Sequence, residues 1–121
     1  MSAKIDSVIL KKVNMNIAEN IEKKFELKIA MSVKIKPPKD EKSYDLALDI
    51  SFNVNDAKNE IIDIDIESMF VFKLNSIPSN YQEFVTDNCV PIARSYLFDK
   101  IDSFLEEMGY EKLELSQAAL N

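Results

Sequence analysis

Strict alternation of apolar and polar residues in two long segments limits the folds open to this chain more than any other feature. In residues 25–35 every odd-numbered residue is apolar, and only Ala30 is apolar between them. In residues 44–54 every even-numbered residue is apolar, and only Ala47 is apolar between them. A period of two is typical of β-strands with one buried and one solvated face. We therefore predict two half-buried strands of an antiparallel sheet.

Two less regular segments predict two further strands. Residues 4–17 alternate in the same way except that Val8 and Leu10 interrupt the pattern, which a β-bulge or a strand with two contacted faces would explain. Residues 61–74 alternate between apolar residues and carboxylates in their first half and are apolar on both sides in their second half. The connections between strands have hairpin lengths. Together the four segments predict a four-stranded antiparallel meander.

A long amphipathic helix is predicted between Pro91 and Gly109. Proline fits the first turn of a helix, where an N–H group has no partner, and glycine fits the left-handed residue after the last turn. Asp87 or Asn88 can supply the side-chain cap. Apolar residues recur between these limits at spacings of three and four, which places them on one face: Tyr96, Leu97, Ile101, Phe104, Leu105 and Met108.

A short helix should precede the long one. Ser79 and Gln82 match a capping box that opens a helix ending near Asp87, and Pro91 should separate the two helices. Strands followed by helices are typical of the α+β class. We predict a single domain over residues 1–121, with the short and the long C-terminal helix packed on one face of the sheet.

The composition argues against several classes of function. A formal net charge of −6 disfavours nucleic acid and anionic membrane surfaces as partners, and no segment reads as a membrane span. The chain has no histidine and one glycine, so it lacks the commonest general base and a glycine-rich phosphate loop. We predict a binding protein and not an enzyme, with no cofactor. The single cysteine, Cys89, favours a reducing compartment, and we expect the cytoplasm.

One helix is too narrow to cover the apolar face of four strands. Four strands at about 4.8 Å spacing make a sheet roughly 15–20 Å wide, whereas a helix is about 10 Å across. Several hundred Å² of uncovered apolar surface is unusual for a monomer. Another subunit, a ligand or a client chain should cover the remainder, so both self-association alone and a groove for partners are open. The predicted client-binding residues are Phe52, Met69, Phe70, Phe72, Ile92 and Tyr96.

Five carboxylates should share the opposite, outer face of the sheet: Asp45, Asp49, Asp63, Asp65 and Glu67. Three interpretations are open. The residues can form a solvated face that lysines on the second strand partly neutralise, a docking surface for a basic partner, or an acid–base or metal site. Their place on an open face disfavours the last. Cys89 has no histidine to activate it, so we expect a buried structural thiol.

Four motifs, in this order along the chain, resemble those of a known family: Tyr44–Leu48 (YDLAL), Met69–Phe72 (MFVF), Cys89–Arg94 (CVPIAR) and Gly109–Leu115 (GYEKLEL). The first two resemble its Tyr-x-Val-x-Leu strand and the apolar end of its fourth strand. The third resembles its Cys-Pro and Pro-Tyr-Ala-Arg residues at the start of the long helix. The fourth resembles its Gly-aromatic-Pro-x-Leu-x-Leu exit. The family is SecB, the export chaperone of the bacterial cytoplasm, with its shorter SecB-like relatives.

The resemblance implies a homodimer or homotetramer that binds unfolded chains in apolar grooves without ATP. It also implies that the acidic outer face docks an export motor such as SecA. The alternative is a SecB-fold scaffold or adaptor, such as one dedicated to an antitoxin, without general chaperone activity. The sequence ends six residues after Leu115 and lacks the family's second helix, so we expect a shallower groove. The predicted subunit interface comprises Ile5, Val8, Leu10, Arg94, Asp99, Lys100 and Asp102.

Overall fold

The computed structural model describes residues 3–18, 27–36, 44–56 and 61–110. These residues form four strands, a short helix, a π-helical segment and a long helix. The elements are β1 (Ala3–Ile17), β2 (Leu27–Lys36), β3 (Asp45–Asp56), β4 (Ile62–Leu74), α1 (Tyr81–Phe84), the π segment (Val85–Cys89) and α2 (Val90–Glu107). The α+β class, the antiparallel sheet and the long C-terminal helix are as predicted. The predicted exit motif falls outside the described residues after Tyr110.

The strands lie in the order β1-β4-β3-β2, and every neighbouring pair is antiparallel. Strands β2, β3 and β4 follow one another as a meander. Strand β1 lies beside β4, whereas a simple meander of all four would place it beside β2. This position explains why the second half of β4 is apolar on both faces. Its outward Met69 lies opposite Ile9 of β1, and its outward Val71 lies opposite Ala47 of β3.

Two β-bulges in β1 account for its broken alternation, which is one of the two explanations that the sequence left open. The register with β4 shifts at Asp6 and again at Lys11, so each extra residue changes which parity faces the core. Apolar residues of mixed parity consequently lie opposite inward residues of β4. The residues Ile5, Val8, Leu10 and Val13 face Phe72, Phe70, Ser68 and Ile66 respectively.

The core lies between α2 and the two central strands. The ring centroids of Phe52 on β3 and Phe98 on α2 are 5.6 Å apart, and those of Phe70 on β4 and Tyr96 on α2 are 5.5 Å apart in an edge-to-face contact. The buried residues of α2 are Ala93, Leu97, Phe98, Ile101 and Leu105. The predicted apolar face therefore omitted Phe98. It also included Met108, which is 50% exposed because it lies at the helix end.

The helical chain continues from Tyr81 to Glu107, and the predicted break at Pro91 is wrong. A proline ring inside an α-helix clashes with the carbonyl group four residues earlier, here that of Asp87. The π segment directly precedes this position, and the Val90 N–H donates to the Val85 carbonyl five residues earlier. We attribute the tolerance of Pro91 to this wider turn.

The cap predictions were right at one end of the helical region and wrong at the other. Asn80, not Ser79, caps α1, because its Oδ1 accepts a hydrogen bond of 3.1 Å from the Glu83 N–H. Asp87 and Asn88 do not cap α2, since the helix already continues through them. Gly109 ends the helix as predicted, with a φ of 89°. The N–H groups of Gly109 and Tyr110 donate back to Glu106 and Leu105, which forms a Schellman motif.

Candidate binding surfaces

Helix α2 covers the central strands so closely that three predicted client-binding residues are inaccessible. The exposed fractions of Phe52, Phe70 and Phe72 are 2%, 0% and 0%. Rings from α2 lie against the first two of these side chains. A client polypeptide cannot touch them while α2 stays in place, so their prediction as contact residues was wrong. Helix α2 is narrower than the sheet, as expected, but the strands that it leaves uncovered are the edge strands and not the central ones.

The other three predicted client-binding residues lie in separate places. Met69 is half-buried on the outer face, on the side of the sheet opposite α2. Ile92 and Tyr96 are half-buried on α2. The ammonium group of Lys100 lies 5.7 Å from the centre of the Tyr96 ring, a cation–π distance. The six residues therefore do not form one surface.

The apolar surface that remains available lies on the edge strands. Along β2, five inward apolar residues are all half-buried, and we call them the β2 strip: Leu27, Ile29, Met31, Val33 and Ile35. Along β1, the β1 strip comprises Ile5, Val8, Leu10, Met15 and Ile17, which are half-buried, and Val13, which is 41% exposed. These two strips flank the core that α2 covers.

The sequence predicted that the residues of the β2 strip face inward, but not that they are partly exposed. The alternation from Leu27 to Ile35 correctly identifies an inward face. It does not reveal that β2 ends the sheet and therefore lies at the margin of α2, because that depends on strand order. The β2 strip was consequently omitted from the predicted site, whereas the phenylalanines of the central strands were included.

The five predicted carboxylates do lie on the outer face. Two of them are paired with lysines. Asp49 contacts Lys11 at 3.2 Å and Lys36 at 2.9 Å, and hydrogen bonds from these ammonium groups lower the pKa of its carboxyl group. Asp45 lies 3.9 Å from the ammonium group of Lys73, and both side chains are well exposed. At this end of the sheet the outer face is a mixed-charge surface.

At the other end of the outer face the carboxylates lie among amides. Asn53 donates from its Nδ2 atom to both Asp63 and Asp65, and its Oδ1 atom accepts a hydrogen bond of 2.9 Å from Asn55. Glu67 is exposed and lies opposite Lys12 of β1. A shallow depression of about 290 Å³ crosses the sheet here. In the described part of the chain no cluster of carboxylate or thiol side chains is arranged to hold a metal ion.

Cys89 is buried at the junction of the π segment and α2. Its side chain has no measurable exposure, and desolvation raises the pKa of the thiol to about 11. The thiol therefore stays protonated near neutral pH and is a poor nucleophile. This agrees with the expected structural role.

The predicted subunit-interface residues form two separate sets. Ile5, Val8 and Leu10 belong to the β1 strip. On α2, Asp99 is exposed, and the side chains of Arg94, Lys100 and Asp102 are half-buried. An interface that used both sets would have to extend from the edge of the sheet over the helix. Their role stays a prediction.

Comparisons with known proteins give a fold but no sequence family. No protein-family model matches the sequence, and no curated protein matches it either. The structure is similar to that of the SecB-like chaperone Rv1957 of Mycobacterium tuberculosis, solved in complex with a ChAD peptide from the HigA1 antitoxin. The match has a TM-score of 0.63 and covers 93% of this chain and 84% of that chain. This chain has the SecB-like fold.

The SecB-like fold is retained here although only 11% of the residues are identical to those of the mycobacterial chaperone. At this identity the similarity establishes the architecture and does not identify binding residues. No helix in the described ranges is both long enough and apolar enough to cross a bilayer.

Proposed function

We propose that this protein is a SecB-like chaperone that binds non-native or disordered polypeptides without nucleotide and without catalysis. The observation that carries the proposal is the pair of apolar strips that α2 leaves half-exposed, in a fold shared with a chaperone solved with a peptide bound. Burial of apolar area supplies about 25 cal/mol per Å². Extended apolar segments would therefore bind in preference to folded proteins, whose apolar residues are buried.

The acidic outer face supports a second part of the proposal. The amide-flanked carboxylates Asp63 and Asp65 and the exposed Glu67 form a region of negative potential on an open surface. Lys12 of β1 lies opposite Glu67, so this part of the surface has three carboxylates to one ammonium group. An excess of negative charge steers a basic partner by long-range attraction. An export motor of the SecA kind is one candidate for this partner, in the cytoplasm of a bacterial cell.

The test is suppression of the aggregation of an unrelated unfolded protein, measured by light scattering without nucleotide. We expect suppression at equimolar to several-fold excess of the protein. A double variant, Ile29→Lys with Val33→Lys, should reduce suppression because it places two charges in the β2 strip. Ile77→Lys with Met108→Lys is the matched control, since these residues are 44% and 50% exposed and lie outside both strips. Lack of suppression by the wild-type protein at high excess would contradict the proposal.

The alternative is an oligomeric scaffold or adaptor in which copies of the chain cover both strips. It is favoured by the β1 strip, whose exposed Val13 and half-buried neighbours are of the kind that subunit interfaces bury. This alternative predicts a tight oligomer by multi-angle light scattering and little binding of a hydrophobic dye. The chaperone proposal predicts dye binding that an unfolded client displaces.

A further inference from the structure

The two edge strands of the sheet differ in regularity. β2 pairs with β3 from Leu27 to Lys36 without a register shift. β1 contains two bulges, which displace its backbone groups from a regular ladder. The free edge of a regular strand is a template for another extended chain, and bulges protect an edge against such pairing. Among the four described strands, β2 alone therefore offers an uninterrupted edge of ten residues.

The outward side of β2 is basic, although the whole chain is acidic. Its outward residues Lys28, Lys34 and Lys36 are exposed, and β2 contains no carboxylate. Lys36 forms an ion pair with Asp49. Lys28 and Lys34 have no carboxylate within ion-pair distance among the described residues. Across the β2–β3 pair, Lys28 lies opposite Asn55, and Lys34 lies opposite Asp49, which already pairs with Lys11 and Lys36. The strand thus presents apolar groups on one side and an excess of positive charge on the other.

We propose that the free edge of β2 accepts an extended client segment in which apolar and acidic residues alternate, as a fifth strand of the sheet. The inference rests on the proposed function and names the kind of segment bound. In such a pairing, side chains of one parity continue the β2 strip beside α2. Side chains of the other parity lie about 5 Å from the lysines across the strand pair. Main-chain hydrogen bonds supply affinity, and the alternation supplies specificity.

Charge disfavours a second copy of β2 as the occupant. Antiparallel pairing of two β2 strands about Ser32 would place Lys28 of each copy opposite Lys36 of the other. Like charges directly opposite each other destabilise a strand pair. A segment with acidic residues at alternate positions places an opposite charge there instead. Because β2 contains no carboxylate, a second copy of it offers no opposite charge to these lysines in any register.

The experiment measures the affinity of labelled twelve-residue peptides for the full-length protein by fluorescence anisotropy at physiological salt. One peptide alternates Val or Ile with Glu and Ser, the second has Lys in place of Glu, and the third has the first composition in block order. We expect the first to bind at least tenfold more tightly than either of the others. Because the chain's net charge is −6, long-range attraction alone would favour the Lys peptide.

A pair of protein variants locates the binding edge. Lys28→Glu with Lys34→Glu should weaken binding of the Glu peptide by tenfold or more and should invert the preference between the two alternating peptides. Lys4→Glu with Lys12→Glu makes the same change in net charge on exposed residues of β1 and should alter the affinity less than twofold. Equal weakening by both pairs would overturn the proposal, because it would show general electrostatics and not edge pairing.

A peptide modification keeps the test decisive if the β2 variant fails to fold. A strand added at an edge uses the N–H groups of only one of its sides. N-methylation of alternate residues should abolish binding to the wild-type protein for one parity and spare it for the other. Equal loss for both parities would overturn the proposal. If no peptide binds but aggregation suppression persists, this inference fails alone, whereas loss of both removes the proposed function too.

Discussion

The central strands and the edge strands share one sequence pattern, but their inward residues differ in exposure. Inward apolar residues of β3 and β4 are at most 5% exposed, whereas those of β1 and β2 are half-buried or exposed. The residue types are largely the same, mainly Leu, Ile and Val, with Met added at the edges and Phe at the centre. The difference follows from position, because α2 lies over the two central strands. The sequence of a strand thus determines which residues face inward. The strand order and the width of α2 determine whether those residues are exposed.

The largest effect should come from removing a side chain beneath α2. Phe70 has no exposed surface, and its ring contacts Tyr96 on α2. Phe70→Ala should lower the free energy of unfolding by about 3–5 kcal/mol, because it removes apolar burial and leaves a cavity. Urea unfolding followed by circular dichroism measures this. A loss below about 1 kcal/mol would mean that the centre of the sheet is not the core.

A smaller loss of stability is expected at the C-terminal end of α2. Gly109 has a positive φ, and a Cβ atom there would meet no neighbour within 4 Å. Gly109→Ala should therefore cost about 1–2 kcal/mol through backbone strain alone. The same unfolding assay measures it, with Ser103→Ala, an exposed position within α2, as the control. No change would show that the Schellman motif does not fix the end of α2.

Substitution of an edge residue should change stability little and weaken client binding, unlike substitution of a core residue. Ile29→Ala in the β2 strip should cost about 1 kcal/mol in stability, less than Phe70→Ala, because the side chain is already half-exposed. It should nevertheless weaken capture of an unfolded client, which Phe70→Ala should do only by unfolding the protein. Isothermal titration with a permanently unfolded client separates the two effects. If Ile29→Ala is as destabilising as Phe70→Ala, the distinction between centre and edge is wrong.

The smallest effect is expected on the outer face, and it depends on pH. The Lys11 and Lys36 ammonium groups lower the pKa of the Asp49 carboxyl group in the folded state. A lowered pKa means that these ion pairs stabilise the fold at neutral pH and lose this contribution as the pH falls below about 4. Asp49→Asn should thus be slightly less stable than wild type at pH 7, and the difference should shrink as the pH falls below about 4. Thermal unfolding at several pH values tests this, and a difference that persists at low pH would point to another cause.

The strands, their faces and the end of the long helix could be predicted from the sequence, because local patterns determine them. Alternation located the four strands and their faces to within about two residues, and a bulge was one of the two explanations left open by the interruption at Val8 and Leu10. Gly109 correctly marked the helix end because only backbone conformation is at issue there. These features depend on neighbours a few residues apart, so one sequence is enough to read them.

What the sequence did not predict depends on distant contacts. The pairing of β1 with β4 joins residues at opposite ends of the sheet segment, and no local pattern encodes it. Burial of Phe52, Phe70 and Phe72 follows from where α2 lies across the strands. The continuous path through Pro91 depends on a π turn that hydrophobic spacing does not reveal. The predicted binding site was therefore placed on the central strands, whereas the available apolar surface lies on the edges.

Methyl NMR of the full-length protein with a permanently unfolded client tests the central claim most directly. With Ile, Leu, Val and Met methyl groups labelled, we expect client-induced shifts and cross-saturation at Ile29, Met31 and Val33. Leu48 and Ile66, which are fully buried beneath α2, should be unaffected. Cross-saturation of these central methyl groups, with the β2 strip unchanged, would contradict the account, because the client would then bind where α2 now lies.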